Sequence, residues 1–152
     1  MLRLIRIVTV ICGMAACGGH GYIVSVRARG LDSRNTEALA RVNAVASAHG
    51  LTTLVLDAPA EFRPNAGRHS AFAKKVSDRP NEFLRMEVAY SEPADPDRDA
   101  WVWVHDDVNG SDTEIKREID AIGDQCRDIF VTVVGASNVF VERRPTRVPL
   151  FR

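Results

Sequence analysis

Residues 101–107 read Trp-Val-Trp-Val-His-Asp-Asp, setting indole, imidazole and carboxylate groups side by side. In an extended strand successive side chains point to opposite faces, so Trp101, Trp103 and His105 share one face and Val102 and Val104 the other. If the valines face the core, the two tryptophans and His105 form an open-face ladder able to bind a ligand by stacking. The competing reading is a second hydrophobic layer, covered by residues 58–82 or packed across strands against Phe83 and Arg85. Packing is the commoner use of aromatic residues in strands.

A second chemistry is metal-dependent or hydrolytic, with His105, Asp106 and Asp107 at a strand end and His69 as a distant partner. A metal site needs three or four converging ligands, and no H-x-x-x-H or C-x-x-C spacing enforces that here. Turn or helix-approach carboxylates are the simpler reading of the two aspartates. The chain also lacks a G-x-S-x-G elbow, an H-E-x-x-H pair and a phosphate-cradling glycine loop. Gly18-Gly19-His20-Gly21 precedes the first strand instead of joining a strand to a helix, and reads as a tether. No catalytic residue, no metal and no cofactor is expected. Asn109-Gly110-Ser111 matches a glycosylation sequon, but a turn followed by a helix cap explains it.

The cysteines point to location. Cys12 and Cys17 lie five apart near the amino end, and Cys126 stands far from both. Arg3 and Arg6 form a positive start and Ile7–Cys12 a brief apolar stretch, well short of the roughly 20 residues a spanning helix needs. Small residues follow, in the pattern of a secretory signal. Met14-Ala15-Ala16-Cys17 resembles the lipobox of bacterial lipoprotein precursors, a resemblance confined to about the first seventeen residues. It implies that residues 1–16 are removed, that the Cys17 thiol receives a diacylglyceryl group, and that the new amino terminus is acylated. Two or three acyl chains hold a protein firmly on a bilayer where one holds it only marginally. Gly18 after the cysteine implies the outer membrane. The alternative is ordinary cleavage near Gly13 to Ala15, releasing a soluble periplasmic protein. With Cys12 discarded and Cys17 lipidated, Cys126 has no partner for a disulfide within the mature chain.

Acidic and basic residues balance at 20 each over 152 residues. Removal of residues 1–16 takes Arg3 and Arg6, leaving 18 basic against 20 acidic. That charge gives no general field for nucleic acid, so no nucleic-acid partner is expected. The expected partners are the membrane, through the lipid, and an envelope protein. Hydrophobic residues make up 45% and charged residues 26%, ordinary values for one globular domain.

Those groups need elements to hold them. Tyr22–Arg29 alternates as a half-buried strand, and Gly30 breaks it. Asp32 or Ser33 can cap a helix over Thr36–His49 that ends at Gly50. Leu51–Asp57 reads as a strand. Residues 58–82 are irregular, with a short helix over Ser70–Val76. Phe83–Tyr90 alternates with Leu84, Met86, Val88 and Tyr90 inward. Residues 91–99 form an acidic hairpin loop, and Ala100–His105 returns. Ser111 and Glu114 have capping-box spacing, before a helix with Ile115, Ile119, Ile122 and Cys126 on one face. That places Cys126 as a small core residue. Ile129–Val134 and Val139–Val141 read as the last extended segment, bent at 135–138. Pro145 and Pro149 bar the basic tail from a central strand. Its arginines, Arg143, Arg144, Arg147 and Arg152, are either solvated or contact acidic head groups or a partner.

The expected fold class is α+β: a largely antiparallel sheet of four to six strands with two helices on one face, a ferredoxin-like variant. The expected organisation is a signal over 1–16, a lipidated tether over 17–21, one domain over 22–144 and a tail over 145–152. The expected function is non-catalytic binding or assembly in the cell envelope, with Trp101, Trp103 and His105 as the candidate surface. The alternative is a small periplasm-facing hydrolytic or metal-dependent enzyme.

Overall fold

The strand-forming alternation of Tyr22–Arg29 and Phe83–Tyr90 dictates a sheet with one apolar face, and a sheet is what forms. A computed structural model describes residues 19–54, 68–78, 82–94, 96, 98–106, 108 and 113–148. In chain order the elements are β1 (Gly19–Arg29), α1 (Thr36–Ala48), β2 (Thr52–Thr53), β3 (Arg68–Lys75), β4 (Phe83–Tyr90), β5 (Asp99–Asp106), α2 (Thr113–Val134) and β6 (Val139–Val148). The strands make one open sheet in the order β2-β3-β4-β5-β1-β6, every neighbouring pair antiparallel. β1 and β4 therefore run parallel with β5 between them, the split βαβ order, and β2 and β3 extend the sheet beyond β4. The α+β class and the largely antiparallel sheet hold.

The inward positions of three strands are fully buried: Val24 and Val26 of β1, Leu84, Met86 and Val88 of β4, and Val102 and Val104 of β5. Against them α1 packs Leu39, Val42 and Ala46, and α2 packs Ile119, Ile122, Cys126 and Phe130. Each helix thus spends its apolar stripe on the same side of the sheet. The approach of α2 is close. A Cβ built on Gly123 would lie 2.5 Å from Cγ1 of Val24.

Several elements depart from expectation, each for a physical reason. Residues 68–75 form β3, where a short helix over Ser70–Val76 is expected. Antiparallel pairing with β4, from Arg68 opposite Tyr90 to Lys75 opposite Phe83, outweighs local propensity. Ile129–Val134 is the end of α2 and not a strand, although its residues are mostly β-branched or aromatic. Ile129 and Phe130 continue the buried stripe of Ile119, Ile122 and Cys126, and tertiary packing overrides propensity. The helix ends at Gly135, whose φ of 81° few other residues adopt, and Asn138 Nδ2 donates to the Val134 carbonyl at 2.7 Å.

The flanks of the domain shift as well. Gly19–Gly21, expected as tether, pair with Thr146–Val148, so β1 starts before the alternation does. β6 runs through Pro145, which a strand tolerates only where one edge is unpaired, and β6 is an edge strand. The expected tail over 145–152 therefore begins inside the sheet. At α1 the cap position belongs to Asn35, while Asp32 and Ser33 sit in the turn before it. Of the strand expected over Leu51–Asp57, Thr52–Thr53 pairs with β3, and residues 55–57 lie outside the described residues. Ser111 of the expected capping box lies outside them too, as do residues 1–18 with Cys12 and Cys17. Among the described residues no helix is long and apolar enough to cross a membrane.

Candidate functional site

The period of two in β5 sends Val102 and Val104 under the helices and turns Trp101, Trp103 and His105 to the opposite face. All three side chains are partly exposed. The indoles of Trp101 and Trp103 lie parallel, 2° apart in plane with centroids 6.4 Å apart. The register sets their neighbours. Trp101 stands between Ala89 and Arg27, Trp103 between Glu87 and Ser25, and His105 between Arg85 and Ile23. The Arg27 guanidinium lies 5.9 Å from the Trp101 centroid, within cation–π range. His105 Nε2 is 3.5 Å from Glu87 Oε1. On the outer side of Arg27 sits Phe140 of β6, a large apolar side chain left 45% exposed.

Beyond Arg27 the face ends in a cluster of arginines and two buried carboxylates. Asp99, almost fully buried at the start of β5, accepts from Arg27 Nε at 2.7 Å and from its Nη2. Asp32, in the β1–α1 turn, accepts from the backbone N–H of Arg34 at 2.9 Å and from its Nε and Nη2 at 3.0 and 2.6 Å. The Arg34 side chain and backbone donors hold the Asp32 carboxyl down to about 2, against the opposing effect of burial. Arg98 Nη1 stands 3.9 Å from Asp32 Oδ2. The Arg29 guanidinium lies 4.7 Å from the Phe140 ring centroid and has no carboxylate partner among the described residues. Arg27, Arg29, Gly30, Pro96, Arg98 and Asp99 line an open pocket of about 450 Å³.

The structure does not bring together the residues of the alternative, metal-dependent reading. His105 faces the tryptophans, whereas Asp106 is buried on the other face and accepts from the Tyr22 N–H at 3.2 Å. His69 pairs opposite Ala89, four residues along β3 from Ala73, and Ala73 is the residue level with Arg85 and His105. With strands about 4.8 Å apart and a rise of about 3.3 Å per residue, the two backbones stand roughly 16 Å apart. Asp107 lies outside the described residues. Among the described residues no three His, Cys, Asp or Glu side chains gather as metal ligands.

Two other polar groupings hold elements together. Glu118 of α2 accepts from Lys74 Nζ at 2.6 Å and stands 3.4 Å from His49 Nδ1, joining β3, the end of α1 and α2. Arg143 of β6 donates to Asp120 at 2.9 Å and Asp124 at 2.7 Å, and Tyr22 Oη donates to Asp120 at 3.0 Å. Cys126 is a free buried thiol, pushed up to about 12 by burial.

Sequence reasoning finds the Trp101–Trp103–His105 face but misses the arginines. Arg27 and Arg29 read as outward positions of one strand, and Arg98 and Asp99 as the end of an acidic loop. The β1–β5 register, which sets Arg27 opposite Trp101 and Arg29 opposite Asp99, joins them. The Arg27-x-Arg29 alternation, followed by a break at Gly30, is the one local signal. Comparison with protein-family models, with curated proteins and with solved structures gives no match to the chain.

Proposed function

We propose that the protein is a bacterial envelope lipoprotein with a non-catalytic binding or assembly role. It is held at the membrane through Cys17 and engages its ligand or partner through the sheet face around Trp101 and Trp103. The binding half is carried by one observation, the parallel and partly exposed indole pair on the face opposite both helices. A large rigid ring with two rotatable bonds loses little conformational freedom on binding, and such rings suit stacking surfaces. The anchoring half is carried by Met14-Ala15-Ala16-Cys17 after a charged start and a short apolar stretch. Several acyl chains on one cysteine make that attachment stable.

Each half has its own test. Intact mass of membrane-extracted protein is expected to start at Cys17 with added lipid, and Cys17→Ala is expected to leave the membrane fraction. A lipid-free mature mass, or a variant that still sediments with membrane, sinks the anchor. For the face, Trp101→Ala with Trp103→Ala is expected to lose a component that the intact protein retains from envelope extract. The same double variant is expected to cost less than about 2 kcal/mol of stability, because partly exposed rings gain only part of a full burial term. A loss of about 3–5 kcal/mol with unchanged capture would mark the rings as packing instead.

A further inference from the structure

The sheet starts almost at the anchoring cysteine. Gly19 is paired with Val148, so β1 begins two residues after Cys17. Two residues reach at most about 7 Å, which keeps the start of β1 at head-group level once Cys17 carries lipid. From Gly19 to Ser25 and Arg27, which flank Trp103 and Trp101, β1 rises about 20 and 26 Å. A sheet pinned at one end holds its faces at high effective concentration against the surface that pins it. Weak contacts then suffice to lay one face down. The face turned from the helices has the chemistry for it. Ile23, Phe83, Trp101 and Trp103 are partly exposed there, and Phe140 is 45% exposed. They spread over the adjacent strands β4, β5, β1 and β6, a broad surface where a small molecule prefers a concave one. An indole has an apolar body and one N–H donor, which suits the zone between head groups and acyl chains. Arg27 is paired with Asp99, and Arg144 Nε stands 3.4 Å from Glu142 Oε1, so the rings and not a net charge carry the contact. The outer flank of α2, by contrast, holds Asp124, Arg127 and Asp128 in exposed ion pairs that are costly to desolvate.

We propose, resting on the Cys17 anchor and the tryptophan face of the previous section, that the partner of this face is the bilayer that holds Cys17. Trp101 and Trp103 lie in the head-group zone, Phe140 enters it beside them, and both helices face away from the membrane.

The chain has two tryptophans, so its intrinsic tryptophan emission reports Trp101 and Trp103 alone. The test places the lipidated protein in phosphatidylcholine vesicles brominated either high on the acyl chains or near their ends. Protein that floats with the vesicles is expected to lose roughly half its emission to the shallow bromines and much less to the deep ones. Trp101→Phe and Trp103→Phe, each leaving one reporter, are expected to show the same order. Phe140→Glu is expected to cut the quenching about twofold or more without changing the fraction that floats, because the lipid still holds the chain. Val133→Glu, at an equally exposed apolar residue of α2, is expected to leave the quenching unchanged. Floating protein whose emission is equal in brominated and plain vesicles overturns the proposal and leaves the anchor standing. Equal effects of Phe140→Glu and Val133→Glu overturn it as well. Protein that does not float sinks the anchor and the proposal together.

Discussion

Cys126 is fully buried in the core and its thiol is pushed up to about 12, so almost no thiolate exists at neutral pH. In the folded chain, peptide mapping after alkylation at pH 8 is expected to find Cys126 unmodified, with modification only once denaturant unfolds the domain. Modification under native conditions would show that α2 opens at this position. Asp32 is buried too, yet the donors of Arg34 reverse the direction of its shift. Its carboxyl is held at about 2 in the fold against 3.8 in the unfolded chain. The stabilisation it brings is full above 3.8 and is lost as pH falls through about 2. In Asp32→Asn that part of the acid-unfolding profile is expected to flatten, read as urea midpoints at pH 5, 4, 3 and 2. A variant that keeps the wild-type slope would show that other carboxylates carry the acid sensitivity.

At the scale of elements, the close passage of α2 over β1 makes an unusual demand at Gly123. In most helix interiors Gly→Ala stabilises by up to about 1 kcal/mol, because alanine is the better helix former. Here the new Cβ would sit 2.5 Å from Cγ1 of Val24, a stiff and fully buried β-branched side chain. Gly123→Ala is expected to destabilise by about 1–3 kcal/mol in urea unfolding, with Val24→Ala in the same chain restoring part of that loss. A neutral or stabilising Gly123→Ala would mean that α2 can lift from the sheet. The same contacts explain what the sequence makes legible. The Trp101–Trp103–His105 face follows from alternation alone, because a period of two needs no knowledge of partners. β3 and the last turns of α2 were not legible, because Ala71, Ala73, Ile129 and Phe130 take their state from what they meet. The arginine pocket was hidden for a related reason. Arg27 and Arg98 are 71 residues apart, and only the β1–β5 register brings them to one end of the face.

Across the whole molecule, stability is expected to fall from the centre of the sheet toward its edges. β1 and β5 are hydrogen-bonded on both sides and lie under α2, whose Ile119, Ile122 and Phe130 are fully buried. β3 is paired with β4 along its length, and on its other side, among the described residues, with Thr52 and Thr53 of β2 and with the Leu54 N–H, which donates to the Ala71 carbonyl at 2.8 Å. β6, like β2, is an edge strand, yet Arg143 ties it to Asp120 and Asp124 of α2. Strands whose amides bond on both sides exchange only through large openings, whereas edge strands open locally. Amide hydrogen exchange is therefore expected to be slowest in β1, β5 and the middle of α2, intermediate in β6 and fastest in β3. Arg143→Ala is expected to speed exchange in β6 while leaving β1 and β5 nearly unchanged. The cost in global stability is at most about 1 kcal/mol, because these ion pairs are partly exposed. Uniform protection across all strands would show instead that the sheet opens as one unit, and would remove any basis for treating the β2–β3 extension as separable from the split βαβ core.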